Sequence, residues 1–211
     1  RYSSAAQLKK DFEILAEAGP SGQVILNESK AYGVDWKNGF SNRPFKKLVL
    51  TVWDNAEFGC ELAYTIAKSS GYTVALIDMD LLSPKADIFL NIKRYPENLK
   101  GEAIIGKGGL SIVIDSLDKN CFTSSLLFEA AAKRKELSNL YILTGSYKLH
   151  DYEYFNNSSA SRLIENAYRN FDISILLVNK SIYDSFTVLS LIKSDYNFIA
   201  IPANLDKLRE F

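Results

Sequence analysis

Neither sign of charge prevails in this chain. Lysine and arginine number 25, aspartate and glutamate also 25, and the net charge over 211 residues is zero. With no net field to gather phosphates, a nucleic-acid partner is disfavoured. Long apolar runs are lacking as well: no stretch approaches a bilayer span, and Arg1 does not open a secretory leader. The expectation is a cytoplasmic protein with no direct membrane insertion. The two cysteines, Cys60 and Cys121, lie too far apart for metal-ligand spacing and read as reduced thiols. His150 is the single histidine and sits in the polar stretch KLHDYEYFNN, expected to be exposed. A Cys60–His150 nucleophilic pair would need a thiolate favoured at a helix N-terminus, which Glu57 and Glu61 oppose.

What is present is an alternation of strands and helices. Lys47–Trp53 (KLVLTVW), Thr73–Ile77 (TVALI) and Ile173–Val178 (ISILLV) are apolar, β-rich runs; Tyr141–Leu143 opens a further strand and Phe198–Ile201 forms the last. Helical patterns begin at Cys60 and cover Thr123–Leu137, Ser158–Asn170 and Asp184–Lys193, with Ser158 or Ser159 and Asp184 as N-caps. Apolar strands between helices predict an α/β fold, a mostly parallel sheet with helices on both faces in three layers. Ahead of it, Tyr2–Ala18 reads as an amphipathic helix with Leu8, Phe12 and Leu15 on one stripe, stopped by Gly19–Pro20–Ser21–Gly22. The expected organisation is the terminal helix of a preceding domain over 1–19, a linker over 20–46, and a main domain over 47–211 that is cut short at its C-terminus.

Ligands of parallel sheets sit at the carboxyl ends of the strands. After the first strand, Asp54–Gly59 (DNAEFG) occupies the place of a phosphate-binding loop. Such a loop needs glycines so that its N–H groups turn inward, a lysine for the phosphates and a Ser/Thr hydroxyl for Mg²⁺. Here Gly59 is the one glycine, Cys60 and Glu61 stand where lysine and threonine are expected, and no Lys or Arg occurs from Leu48 to Ala67. Asp54, Glu57 and Glu61 would each repel a phosphate by roughly 1–4 kcal/mol. After the second strand, Asp78 and Asp80 (LIDMDLLSP) either position water or metal in a nucleotide site or form a solvated pair. At the end of ISILLVNK, Leu177, Val178 and Asn179 stand where a Walker-B aspartate would support Mg²⁺. Gly101–Gly108 (GEAIIGKG) fits G-x-x-x-x-G-K but follows YPENLK rather than a strand, and reads as a flexible surface loop.

Several blocks together resemble the ParA/MinD group of P-loop ATPases, and within it the CpaE/TadZ-type proteins of pilus assembly. They are LAYTIAKSSGYTVALIDMDLLSPKADIFLNI, NLYILTGS, RLIENAYRNFDISILLVN and FTVLSLIKSDYNFIAIPANLDKLREF, spread over Lys47–Phe211. The helix carrying YSSAAQLKKDF is similar to the exit of the receiver-like domain that precedes the ATPase domain in TadZ-type proteins. The resemblance implies a P-loop NTPase fold with a degenerate Walker A motif. Its altered nucleotide site would comprise Asn55, Gly59, Cys60, Glu61, Asp78 and Asp80, with no metal ligand and no catalytic residue. The family's early signature lysine falls at or beside Asp54, and its phosphate lysine and threonines fall on Gly59, Cys60 and Glu61. Expected, therefore, is a non-catalytic scaffold, without cofactor, for protein partners of a membrane-associated pilus or secretion apparatus. It would be held peripherally at the inner membrane through those partners, with a homodimer among the assemblies open to it. The alternative is an ATP- and Mg²⁺-binding protein of the same family with weak or no hydrolysis.

Overall fold

A computed structural model describes residues 47–92, 109–146 and 155–200. The chain divides between Pro44 and Phe45, and all described residues belong to the second unit. The expected N-terminal helix and linker, the GEAIIGKG segment and His150 lie outside the described residues.

In chain order the elements are β1 (Leu48–Trp53), α1 (Ala56–Ser69), β2 (Val74–Asp78), α2 (Ala86–Phe89), α3 (Gly109–Asp118), α4 (Ser124–Ala130), β3 (Ala132–Arg134), β4 (Leu137–Leu143), α5 (Asn157–Asn170), β5 (Ile173–Val178), α6 (Ser185–Lys193) and β6 (Tyr196–Ile199). The strands form one sheet in the order β3-β4-β2-β5-β1-β6, parallel throughout except for the β3–β4 pair. β5 lies at the centre, and all six of its residues are buried, as an unbroken apolar run between two helical layers requires.

Alternation along the strands builds two cores. Val49, Ala75, Ile77, Leu176 and Val178 point into one, closed by α3 to α6 through Leu110, Ile114, Leu127, Leu163 and Phe186. Leu50, Val52, Leu76, Ile175 and Leu177 point into the other, closed by α1 and α2 through Cys60, Ala63, Ala67, Ala86 and Leu90. The expected three-layer, mostly parallel α/β architecture is the one observed.

Local expectations need correction at four places. The helix anticipated over Thr123–Leu137 ends at Ala130, and Ala131 is already extended. Ala132–Arg134 then pairs antiparallel with β4, so the exposed edge of β4 overrides the helical preference of AAAKRKEL. β4 correspondingly starts at Leu137, and Tyr141–Leu143 is its end rather than its beginning. The cap of α5 is Asn156, whose side chain accepts the Ser158 N–H at 2.9 Å, so Ser158 and Ser159 lie inside the first turn; Asp184 caps α6 as expected. The last strand spans Tyr196–Ile199 instead of Phe198–Ile201.

Candidate functional site

The carboxyl ends of β1, β2 and β5 converge, because β5 pairs with both of the others. Sequence alone places a six-residue loop after β1. The structure has two residues there, Asp54 and Asn55, and α1 starts at Ala56. Asp54 turns the chain with a φ of 53°, while its N–H donates to the Val178 carbonyl at 3.0 Å. Asn55 is a favourable cap: its Oδ1 accepts the Phe58 N–H at 2.9 Å and its Nδ2 donates to the Ala200 carbonyl at 2.9 Å. Glu57 in the first turn complements the positive helix end. The helix start is thus capped from within the chain.

Gly59 has a different task from a phosphate-loop glycine. A Cβ built on it would lie 2.2 Å from Leu177 Cδ2, so its bareness lets α1 pack onto β5. Leu177, at the position expected for a Walker-B carboxylate, is 1% exposed and fills that contact. Beyond it, Asn179 is occupied locally: its Nδ2 donates to Asp184 at 3.0 Å and its Oδ1 accepts the Ser181 N–H at 2.7 Å.

Cys60 is buried in the α1-side core, and its thiol is pushed up to about 12, first by burial and then by the nearby Asp78 carboxylate. A group so disposed stays protonated, which removes the thiolate that a nucleophilic role would need. Glu61 projects from the same helix and is exposed.

Asp78 departs from the expectation of a solvated pair, while Asp80 is half-buried. Asp78 is fully buried, not solvated, and burial raises its carboxyl to about 7. Its Oδ2 accepts the Lys85 and Ala86 N–H groups at 2.8 and 2.9 Å, and its Oδ1 accepts the Asp80 N–H at 3.3 Å. Asp80 Oδ1 in turn accepts the N–H groups of Leu82 and Ser83 at 3.0 and 2.9 Å. Both carboxylates hold the 79–86 loop in shape. Among the described residues no group of three or more His, Cys, Asp or Glu could hold a metal ion, and no helix is long and apolar enough to cross a membrane.

The fold also assembles a groove of about 410 Å³ beside α1, with Cys60 in its lining. Glu57, Glu61 and Tyr64 line one wall from successive turns, Phe89 comes from α2 and Leu90 from its C-cap, and Arg134 comes from the β3–β4 hairpin. Glu57 joins the helical face of Glu61 and Tyr64 only because α1 starts at Ala56, ahead of the Cys60 start expected from sequence. Arg134 was not legible as a neighbour, since its segment reads as helix in the sequence.

No protein-family model matches the chain, and no curated protein does. Solved structures match its fold. A ParA family ATPase from Chlorobium tepidum superposes with a TM-score of 0.61 at 19% identity, over 78% of this chain and 64% of that one. The cell division ATPase MinD of Pyrococcus furiosus gives 0.55 at 11% identity, over 78% and 63%. The MinC:MinD cell division complex of Aquifex aeolicus gives 0.53 at 13% identity, over 77% and 60%. The chain thus has the ParA/MinD-type P-loop NTPase fold and spans under two thirds of the length of these structures.

Proposed function

We propose that this domain is a ParA/MinD-like scaffold that engages protein partners and does not turn over nucleotide. It would act in positioning or assembling a pilus or secretion apparatus of the kind served by CpaE/TadZ-type proteins, reaching the membrane through its partners. The observation that carries this reading is the two-residue β1–α1 connection, capped by Asn55 and packed through Gly59 against Leu177.

A magnesium nucleotide, which the ATPase neighbours imply, does not fit these residues. A triphosphate needs a loop of inward N–H groups and a cation. This connection is too short to wrap one, and it carries Asp54 and Glu57, with Glu61 one turn further along α1. A magnesium site needs free oxygen ligands. Asp78 directs both of its oxygens and Asp80 its Oδ1 to backbone N–H groups, and β5 offers Leu177. Burial of that leucine also favours retention of the fold without the chemistry. A neighbour of the same fold occurs in a complex with a protein partner, MinC, which supports partner binding as the function that such a domain can keep.

Thermal unfolding with and without millimolar Mg-ATP tests the reading. A ligand at ~100 times its dissociation constant adds ~2.7 kcal/mol, about 5–10 °C in a domain of this size. No shift is expected. A clear shift that Glu57→Ala enlarges would instead establish an ATP-binding protein, and phosphate release above background would establish an enzyme.

A further inference from the structure

The groove beside α1 has a chemical character of its own. Glu57 and Glu61 are exposed on its wall, and neither is ion-paired to another described residue. Arg134, the cation that lines it, does not answer them. Its Nε lies 3.3 Å from Glu136 Oε2, and its guanidinium stands 5.5 Å from the Tyr64 ring centroid. The lining thus carries two carboxylates against one guanidinium, and Lys68, one turn beyond Tyr64, holds its Nζ 5.7 Å from the centroid of that ring.

Its other wall is apolar and partly open. Phe89 is 44% exposed and Leu90 is buried; Ile88, next to them in the chain but outside the groove lining, is 67% exposed. The volume, about 410 Å³, is in the range that accepts one or two large side chains. Two carboxylates beside an exposed aromatic ring favour a planar cation: a guanidinium can hydrogen-bond carboxylate oxygens in a fork and stack on a ring at the same time. Aliphatic neighbours of that cation would cover Phe89. A phosphate or any acidic segment meets the wrong sign.

We propose that this groove is a docking site for an arginine-bearing, amphipathic segment of a partner protein. The inference rests on the reading of the domain as a protein-interaction scaffold and names the chemistry of the partner. Charge complementarity selects the occupant: a cation inserted between Glu57 and Glu61, with apolar residues on either side of it against α2.

The test uses the full chain and fluorescence anisotropy of a labelled peptide of alternating arginine and leucine. A peptide with glutamate in place of arginine, and spermine as a cation without apolar groups, serve as competitors. The arginine peptide is expected to bind and to be displaced by neither. Joint Glu57→Gln and Glu61→Gln substitution should weaken it by about tenfold, as expected for two partly screened ion pairs. Phe89→Ser should weaken it several-fold, and Glu129→Gln on α4 should leave it unchanged. Unaltered binding by the doubly substituted chain would overturn the proposal, as would equal binding of the glutamate peptide. So would displacement by spermine, which would mark a simple cation site, and so would no saturable binding at millimolar peptide. These failures are distinct from a Mg-ATP-induced thermal shift, which would overturn the scaffold reading itself.

Discussion

The loops after β1 and β2 leave the same end of the sheet, and both carry carboxylates, but the charges meet opposite fates. After β2 the chain takes seven residues to reach α2, and Asp78 turns inward to hold that loop by its N–H groups. After β1 the connection is two residues long, an asparagine caps the helix, and Glu57 and Glu61 are left facing outward. A carboxylate beside a nucleotide-fold helix therefore has no fixed meaning. Where backbone N–H groups surround it, its oxygens serve the fold. Where the cap is supplied by another residue, its charge is available to a partner.

Returning an acid to β5 breaks this contrast most severely. Leu177→Asp would place a carboxylate at a site 1% exposed, packed on Gly59 and paired across the sheet with Asp78. A loss of about 3–5 kcal/mol is expected in urea unfolding, comparable to leaving a buried charge without its partner. A stable variant that gains Mg-ATP affinity would show that the pocket was waiting for its acid.

Asp78 gives an intermediate effect with a defined sign. Its carboxyl is raised from 3.8 to about 7, so the folded chain keeps a proton that the unfolded chain gives up. Stability from this group is complete below about pH 4 and falls as pH rises towards 7, by up to about 1.4 kcal/mol per pH unit. Asp78→Asn keeps an acceptor for Lys85 and Ala86 and should flatten that slope. An unchanged slope in the variant would mean that another group titrates. The smallest effect belongs to the other loop: Glu57→Gln with Glu61→Gln should cost no more than about 1 kcal/mol, the loss of the Glu57 charge at the start of α1. A larger loss would show that these two carboxylates hold structure, as Asp78 does.

The layered sheet was legible because Thr73–Ile77 and Ile173–Val178 are continuous apolar runs that only a doubly covered strand tolerates. That no Lys or Arg occurs from Leu48 to Ala67, and that Leu177 stands near the end of β5, was legible by position. Less so was the start of α1: Asn55 followed by Glu57 was a cap signal, but a phosphate-loop template assigned those residues to a loop. Contacts between distant segments were out of reach. Gly59 meets Leu177 only across two packed layers, and Arg134 reaches the groove only because β4 draws AKR into a strand. The burial of Asp78 depends on N–H groups seven and eight residues further on.

The claim that the start of α1 is closed to phosphate and its flank open to cations can be read in a single set of amide NMR titrations. Mg-ATP at millimolar concentration should leave the Phe58, Gly59 and Cys60 resonances in place, while the arginine–leucine peptide should shift those of Glu57, Glu61 and Phe89. Movement of Phe58 and Gly59 with Mg-ATP, saturating as a binding curve, would contradict the account.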